Sequence, residues 1–189
     1  IEQIKVGNWQ PEIHAVDRQQ RDAMAARGYW QAFQSVKKGV EEVLSGAGSG
    51  QVAEMAHRTW YRAVFAPSVE AGIIRASDLA GYRNQSVFIR HSKHTPASHE
   101  LLRDLMPTYF DLLSSEESAA VRAVLGHFAF VYIHPFVDGN GRIARFLMNL
   151  LMASGGYPWT IVPVNRQEEY MNALESASVD QNIRPFALF

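Results

Sequence analysis

The 189-residue chain contains no cysteine. Disulfides, thiolate-bound zinc and cysteine nucleophiles are excluded together. It also lacks an apolar run of the roughly 18 residues that a membrane-spanning helix needs, so a soluble protein with no membrane contact is expected. Neither sign of charge is in excess, because 18 Lys+Arg stand against 19 Asp+Glu, for a formal net charge of -1 and a pI near 6.7. With no general pull toward nucleic acid or anionic lipid, any polyanion must be held by a local cluster, and no nucleic-acid partner is expected. There is no internal repeat, and strand and helix patterns do not alternate. Ile1 is followed by no charged-then-apolar leader and is not Met, which reads as a processed or partial chain. Composition does not choose between a cytoplasmic protein and a secreted effector.

What is present is enough for a packed domain. Hydrophobic residues make up 47% of the chain, and a chain of this size buries roughly two-thirds of its unfolded surface. Residues 1–45 read as helical, with a break at Gly7 to Pro11 and a polar stretch from Ala15 to Arg27. Tyr29, Trp30, Phe33, Val36, Val40, Val43 and Leu44 recur at helical spacing and predict one buried stripe. Ser45 to Gly50 is a Gly/Ser loop. Residues 1–50 therefore read as an N-terminal helical extension with its loop, and 51–189 as the main domain. Val52 to Phe65 returns to helix. Ser86-Val87-Phe88-Ile89 is short and rich in β-formers, so it predicts one arm of a small β-hairpin. Helices are expected over Ser98 to Leu113, Ser115 to Ile133, Gly141 to Ser154 and Arg166 to Ser178. Ser114 with Glu117 reads as the capping box of the second of these, and Val121, Val124, Leu125, Phe128, Val131 and Tyr132 as its core face. Gly155-Gly156 closes the third. The fold class is mainly α with one small β element.

Chemistry concentrates in His134-Pro135-Phe136-Val137-Asp138-Gly139-Asn140-Gly141-Arg142-Ile143-Ala144-Arg145. The helix that follows Gly-Asn-Gly is apolar on most sides, except for Arg142, Arg145 and Asn149 on one face. Arginine stays charged, so two of them on a core helix need paired carboxylates or an anionic ligand. They sit in the first turn, where backbone N–H groups are unsatisfied and the dipole is positive. The glycines let successive N–H groups form an anion nest. A di- or triphosphate fits this best. Asp138 beside phosphates calls for a divalent cation between them, and Mg²⁺ held by one carboxylate plus phosphate oxygens is the usual arrangement. His134 is a base for work near neutral pH, which neighbouring arginines and metal would keep uncharged. His91, His94 and His99 read as surface histidines, and His127 as a core residue.

The twelve-residue segment resembles the signature of the Fic (Fic/Doc) family, His-x-Phe-x-Asp/Glu-Gly-Asn-Gly-Arg-x-x-Arg, at every fixed position. The resemblance runs from about Val52 to Ser178, with Gly81-Tyr82-Arg83, Val87 and Ile89 similar to the family's flap. It implies a Fic-fold helical bundle and transfer of AMP from Mg-ATP to a Ser, Thr or Tyr hydroxyl of a target protein, releasing pyrophosphate. On this resemblance His134 deprotonates the hydroxyl and Asp138 holds Mg²⁺. Asn140 and the Gly139–Gly141 amides bind the α-phosphate, Arg142 the β- and γ-phosphates, and Arg145 the γ-phosphate. Tyr170 and Asn172 fall where the family contacts adenine and ribose, and the flap Ser86, Val87, Phe88 and Ile89 aligns the target as an added strand. Two alternatives stay open. One is transfer of UMP, phosphocholine or phosphate, or removal of AMP; the other is a nucleotide-binding regulator without turnover. The family's inhibitory Ser/Thr-x-x-x-Glu-Gly/Asn is absent, since no Glu-Gly or Glu-Asn occurs and Ser68 to Gly72 matches only loosely. An inhibitory helix upstream, an antitoxin-like partner, or no inhibitor are all compatible with this, as is a homodimer.

Overall fold

A computed structural model describes residues 18–189. The expected break at Gly7 to Pro11 lies outside the described residues. Long helices dominate: α1 (Arg18–Leu44), α2 (Ser49–Glu70), α3 (Leu102–Ser115), α4 (Ala119–Ile133), α5 (Asn140–Ala153), α6 (Gln167–Val179) and the short α7 (Arg184–Leu188). Three 3-10 turns, at Ala76–Leu79, His99–Leu101 and Val164–Arg166, connect them.

α5 is the central rod. Ile143, Ala144, Phe146, Leu147, Leu150 and Leu151 are fully buried on it, each large side chain contributing roughly 1.5–3 kcal/mol. Helices α1, α2 and α4 pack around it. A smaller apolar cluster of Tyr170, Ala173 and Phe186 joins α6 and α7 to Val124 and Phe128 of α4. The rod ends as the glycine pair predicts, with Tyr157 N–H bonding back to the Met152 carbonyl at 3.1 Å. Asn149 then fastens the following loop, donating to the Thr160 carbonyl at 2.9 Å and accepting from Thr160 N–H at 2.7 Å.

Two expected stripes hold in part: Val36 and Val43 are buried, and Phe33, Val40, Val124, Phe128 and Val131 pack against the core clusters, but the other members do not. On α1 the buried residues are Met24, Gly28, Ala32, Val36, Gly39 and Val43, while Tyr29, Trp30 and Leu44 face outward. The cause is close approach: a Cβ on Gly28 would stand 1.9 Å from the Val64 carbonyl oxygen of α2. On α4 the buried face is Ala123, Gly126, His127 and Phe130, with Val121, Leu125 and Tyr132 exposed. The helix start also differs from the expected capping box. Ser118 is the N-cap, its hydroxyl accepting from Val121 N–H, and Glu116 accepts from Ser118 N–H at 2.8 Å. The Glu-Glu-Ser order lets the serine nearer the helix satisfy the first-turn donors.

The hairpin is not seen. No strand occurs among the described residues, and 86–89 run without regular structure into a turn at Arg90-His91, where His91 has φ 61°. A strand needs a ladder, and here the returning segment is held by side chains instead. Glu175 of α6 accepts from the Ser92 hydroxyl at 2.5 Å and from Lys93 N–H at 2.7 Å, and His94 bonds the Tyr132 carbonyl at 2.9 Å.

Candidate active site

α4 ends abruptly because His134 takes the left-handed conformation, φ 54°, uncommon for a non-glycine residue. Its N–H still bonds the Phe130 carbonyl at 3.0 Å. Its ring is therefore swung off the helix axis, with Nδ1 bonded to the Val131 carbonyl at 3.1 Å. A carbonyl only accepts, so Nδ1 carries the proton and Nε2 keeps a lone pair. Burial, first, and then the charges of Arg83 and His94 hold the His134 pKa below its ordinary 6.5, against the raising effects of the Val131 bond and Asp138. The sequence pointed to neighbouring arginines and metal for this neutrality. Desolvation leads instead, and the foremost cation is Arg83.

The sequence placed Arg83 in the flap without giving it a role of its own. It is buried, and its fork donates to the His134 carbonyl at 2.8 Å, to Gln85 at 3.1 Å, to Ala97 at 2.5 Å and to Ile133 at 3.4 Å. Its own N–H bonds the Pro135 carbonyl at 2.8 Å. One guanidinium thus joins the end of α4, where a cation is favoured by the helix dipole, to both ends of the 85–97 segment. The signal was faint: an arginine beside Gly81-Tyr82 in a stretch too irregular to place in the interior.

Beyond His134 the loop is anchored by Phe136, whose ring stacks on Tyr61 at 3.8 Å and is 1% exposed. Asn140 closes it. Its side-chain oxygen accepts from Phe136 N–H at 2.9 Å and its amide donates to the Phe136 carbonyl at 2.8 Å. The Asn140 side chain is therefore engaged inside the loop, and what this position presents outward is its backbone N–H. Gly139 sits at φ 80° with Phe65 3.0 Å from where a Cβ would be, so both conformation and space require glycine. Arg142 and Ile143 N–H groups return to the Gly139 carbonyl, while those of Asn140 and Gly141 have no acceptor among the described residues. Two free donors thus stand at the positive end of a buried helix, where an anion is favoured.

The two arginines differ. Arg142 lies over the Phe65 ring at 4.8 Å and reaches Asp138 only at 3.4 Å. Burial lowers its pKa, and the Asp138 charge partly offsets this. Asp138 itself is exposed, with one oxygen on Gly139 N–H at 2.6 Å. Arg145 has no carboxylate partner among the described residues. Glu70, from the loose Ser68 to Gly72 match, pairs with Arg27 at 3.3 Å.

His134, Gly141, Arg145, Tyr170 and Asn172 line one cleft of about 770 Å³, walled on its far side by Ile89 to Ser92. Asn172 is exposed there. Tyr170 is buried and its hydroxyl turns inward to His127 Nε2 at 2.8 Å, so it offers the cleft its ring and not a free hydroxyl. Ser86, Val87 and Phe88 lie beyond the cleft wall, with Phe88 84% exposed. Asp138 borders a neighbouring hollow with Tyr61 and Asp78.

A histidine with a free lone pair, two unpaired amides, an arginine without a carboxylate partner and an exposed carboxylate are thus gathered at the C-terminus of one helix and the N-terminus of the next. Comparison with known proteins gives the family. The profile of the Fic/DOC family matches residues 52–152, and the chain belongs to that family. It is 38% identical over 112 residues to "Protein adenylyltransferase Fic" of Drosophila willistoni, covering 57% of this chain and 22% of that one. To "Protein adenylyltransferase fic-1" of Caenorhabditis elegans it is 35% identical over 128 residues, 66% of this chain and 23% of that one. The chain thus spans less than a quarter of the length of these relatives. Among solved structures, Fic-1 (residues 134–508) of C. elegans superposes with a TM-score of 0.75 at 23% identity, over 99% of this chain and 52% of that one. A Fic domain containing signaling protein of Bacteroides thetaiotaomicron gives 0.65 at 22% identity, over 84% and 66%.

Proposed function

We propose that the protein transfers AMP from ATP to a hydroxyl of a target protein. The observation that carries this reading is the His134 Nε2 lone pair facing the same cleft as the unmatched Arg145 and the nest before α5. The activity named for relatives at 35–38% identity supports it. The hydroxyl oxygen attacks the α-phosphorus as its proton passes to Nε2. The bond to the bridging oxygen breaks and pyrophosphate leaves. The amides of Asn140 and Gly141 stabilise charge gathering on the α-phosphate, and being fixed by the helix they need no reorganisation as it develops. Arg142 and Arg145 hold the β- and γ-phosphates, and the Tyr170 ring with Asn172 flanks the nucleoside.

Asp138 suits Mg²⁺ as a single exposed carboxylate beside a phosphate site, and no cluster of three ligating side chains competes among the described residues. Bound there, the ion would neutralise phosphate charge. The segment Ser86 to Ile89, with no backbone ladder of its own, is the surface on which an extended target chain would lie. Residues 51–189 carry all of this machinery.

The test is transfer of label from Mg-ATP to protein. Label on the α-phosphate should be incorporated and label on the γ-phosphate should not. His134→Ala should abolish incorporation while nucleotide binding is retained, because the base acts on the acceptor and not on the phosphates. Incorporation of the γ label, or undiminished transfer by the alanine variant, would overturn the reading.

A further inference from the structure

The backbone just before Arg145 is bonded to a buried histidine. His127, fully buried on α4, bonds the Ala144 carbonyl through Nδ1 at 3.1 Å and the Tyr170 hydroxyl through Nε2 at 2.8 Å. The carbonyl partner fixes the proton on Nδ1, so Nε2 must accept and the Tyr170 hydroxyl must donate to it. That direction leaves the lone pairs of the tyrosine oxygen for a donor on its other side. Arg145, one turn of α5 beyond the nest, is near enough to oppose by charge and hydrogen bonding the rise that burial imposes on the Tyr170 hydroxyl. Hydrogen bonds thus join the Ala144 carbonyl of α5 through His127 of α4 to Tyr170 of α6, and Arg145, next to Ala144, lines the same cleft as Tyr170.

Polarity makes the arrangement one-way. A protonated His127 would have to donate from both nitrogens, turning the tyrosine proton toward a cation. Burial, helped by the Arg145 charge, holds the His127 pKa down at about 3, so the accepting form persists.

We propose that His127 and Tyr170 are positioning residues that aim the Arg145 guanidinium at the terminal phosphate of the nucleotide. This rests on the nucleotide reading of the site and deepens it. A long arginine on an otherwise apolar helix has many rotamers, and fixing one beforehand removes an ordering cost that binding would otherwise meet. Because only the terminal phosphate meets Arg145, loss of the aim should be felt by ATP and not by AMP.

The experiment measures dissociation constants for ATP and AMP with Mg²⁺ by calorimetry on the full chain, with His134→Ala as background to prevent turnover. Arg145→Ala should weaken ATP and leave AMP within twofold. Tyr170→Phe, which keeps the ring and removes the hydroxyl, should weaken ATP roughly tenfold with AMP again within twofold. His127→Gln, whose amide oxygen can accept from the tyrosine, should keep the wild-type ratio, and His127→Leu should lose it. The histidine pair decides the matter if Tyr170→Phe does not fold. Equal loss of both nucleotides in Tyr170→Phe and His127→Leu would make the role structural and overturn the proposal. A shifted ratio in Arg145→Ala with an unshifted one in Tyr170→Phe would overturn it while leaving the nucleotide site intact. If Arg145→Ala itself leaves the ratio unchanged, the assignment of Arg145 fails and this proposal fails with it.

Discussion

On the proposed reaction, His134 is made a base by its surroundings. Its neutral form is favoured by burial and by the neighbouring Arg83 and His94, and its proton is placed on the far nitrogen by a backbone carbonyl. Deprotonated histidine is the active form, so the rate rises with pH through its pKa. Since that pKa lies below 6.5, kcat/KM for a target should be on its plateau at pH 7 and fall only at more acid pH than an exposed histidine would give. A profile with its midpoint above 6.5 would contradict this. Arg83 supports the same residue from behind. Arg83→Lys keeps the charge but loses the fork that reaches four carbonyls, so transfer should fall by about one to two orders of magnitude while ATP binding stays near wild type. Titrating nucleotide affinity beside the transfer rate would separate the two effects. Arg142 and Arg145 stood out in the sequence because permanent charges are costly on a buried helix without a ligand, and His134 and Asp138 stood out only by their place in the motif. Arg83 did not, since an isolated arginine in sequence carries no sign that its partners are carbonyls fifty residues away.

Helix existence could be read from periodicity, and the α5 start at Gly-Asn-Gly falls within a residue of the expectation. Which face is buried could not be read so simply. On α1 and α4 the sequence draws the eye to large apolar residues, yet the seams are built from Gly28, Ala32 and Gly39, and from Ala123 and Gly126. Hydrophobicity ranks a glycine low, while close packing of two helices ranks it high, and only the second partner shows which applies. Gly28→Ala should therefore destabilise by about 1–3 kcal/mol or more, since the new methyl has only the rigid Val64 backbone to meet. Denaturant midpoints of the two proteins measure it, and an unchanged midpoint would mean that α1 is not seated on α2 as described. The missing hairpin has a related cause. β-propensity in Ser86 to Ile89 was real, but propensity is decided by a partner strand, and Glu175, His94 and Arg83 hold the returning segment by side chains.

Stability as a whole should be sensitive to acid for a reason unrelated to the reaction. His57 is 2% exposed, bonded through Nδ1 to the Glu54 carbonyl at 2.7 Å and through Nε2 to the Tyr82 hydroxyl at 2.9 Å. Burial brings its pKa down to about 4, against the raising effect of its backbone bonds, as it brings His127 down to about 3. In the unfolded chain both titrate near 6.5. Between that value and the folded pKa the unfolded state binds protons that the native state refuses, so stability falls as pH falls, by about 1.4 kcal/mol per pH unit for each histidine. Two of them acting together from about pH 6 down to 4.5 remove ~4 kcal/mol, a large part of the 5–15 kcal/mol of a typical domain. The unfolding free energy should thus drop steeply over this range, before most carboxylates titrate. His57→Gln keeps a polar partner for Tyr82 but cannot take up a proton, so it should lower the slope of stability against pH by about one proton whatever its effect on stability at pH 7. Urea titrations at half-unit pH intervals give both slopes, and identical slopes for wild type and variant would show that His57 is not held neutral by the fold.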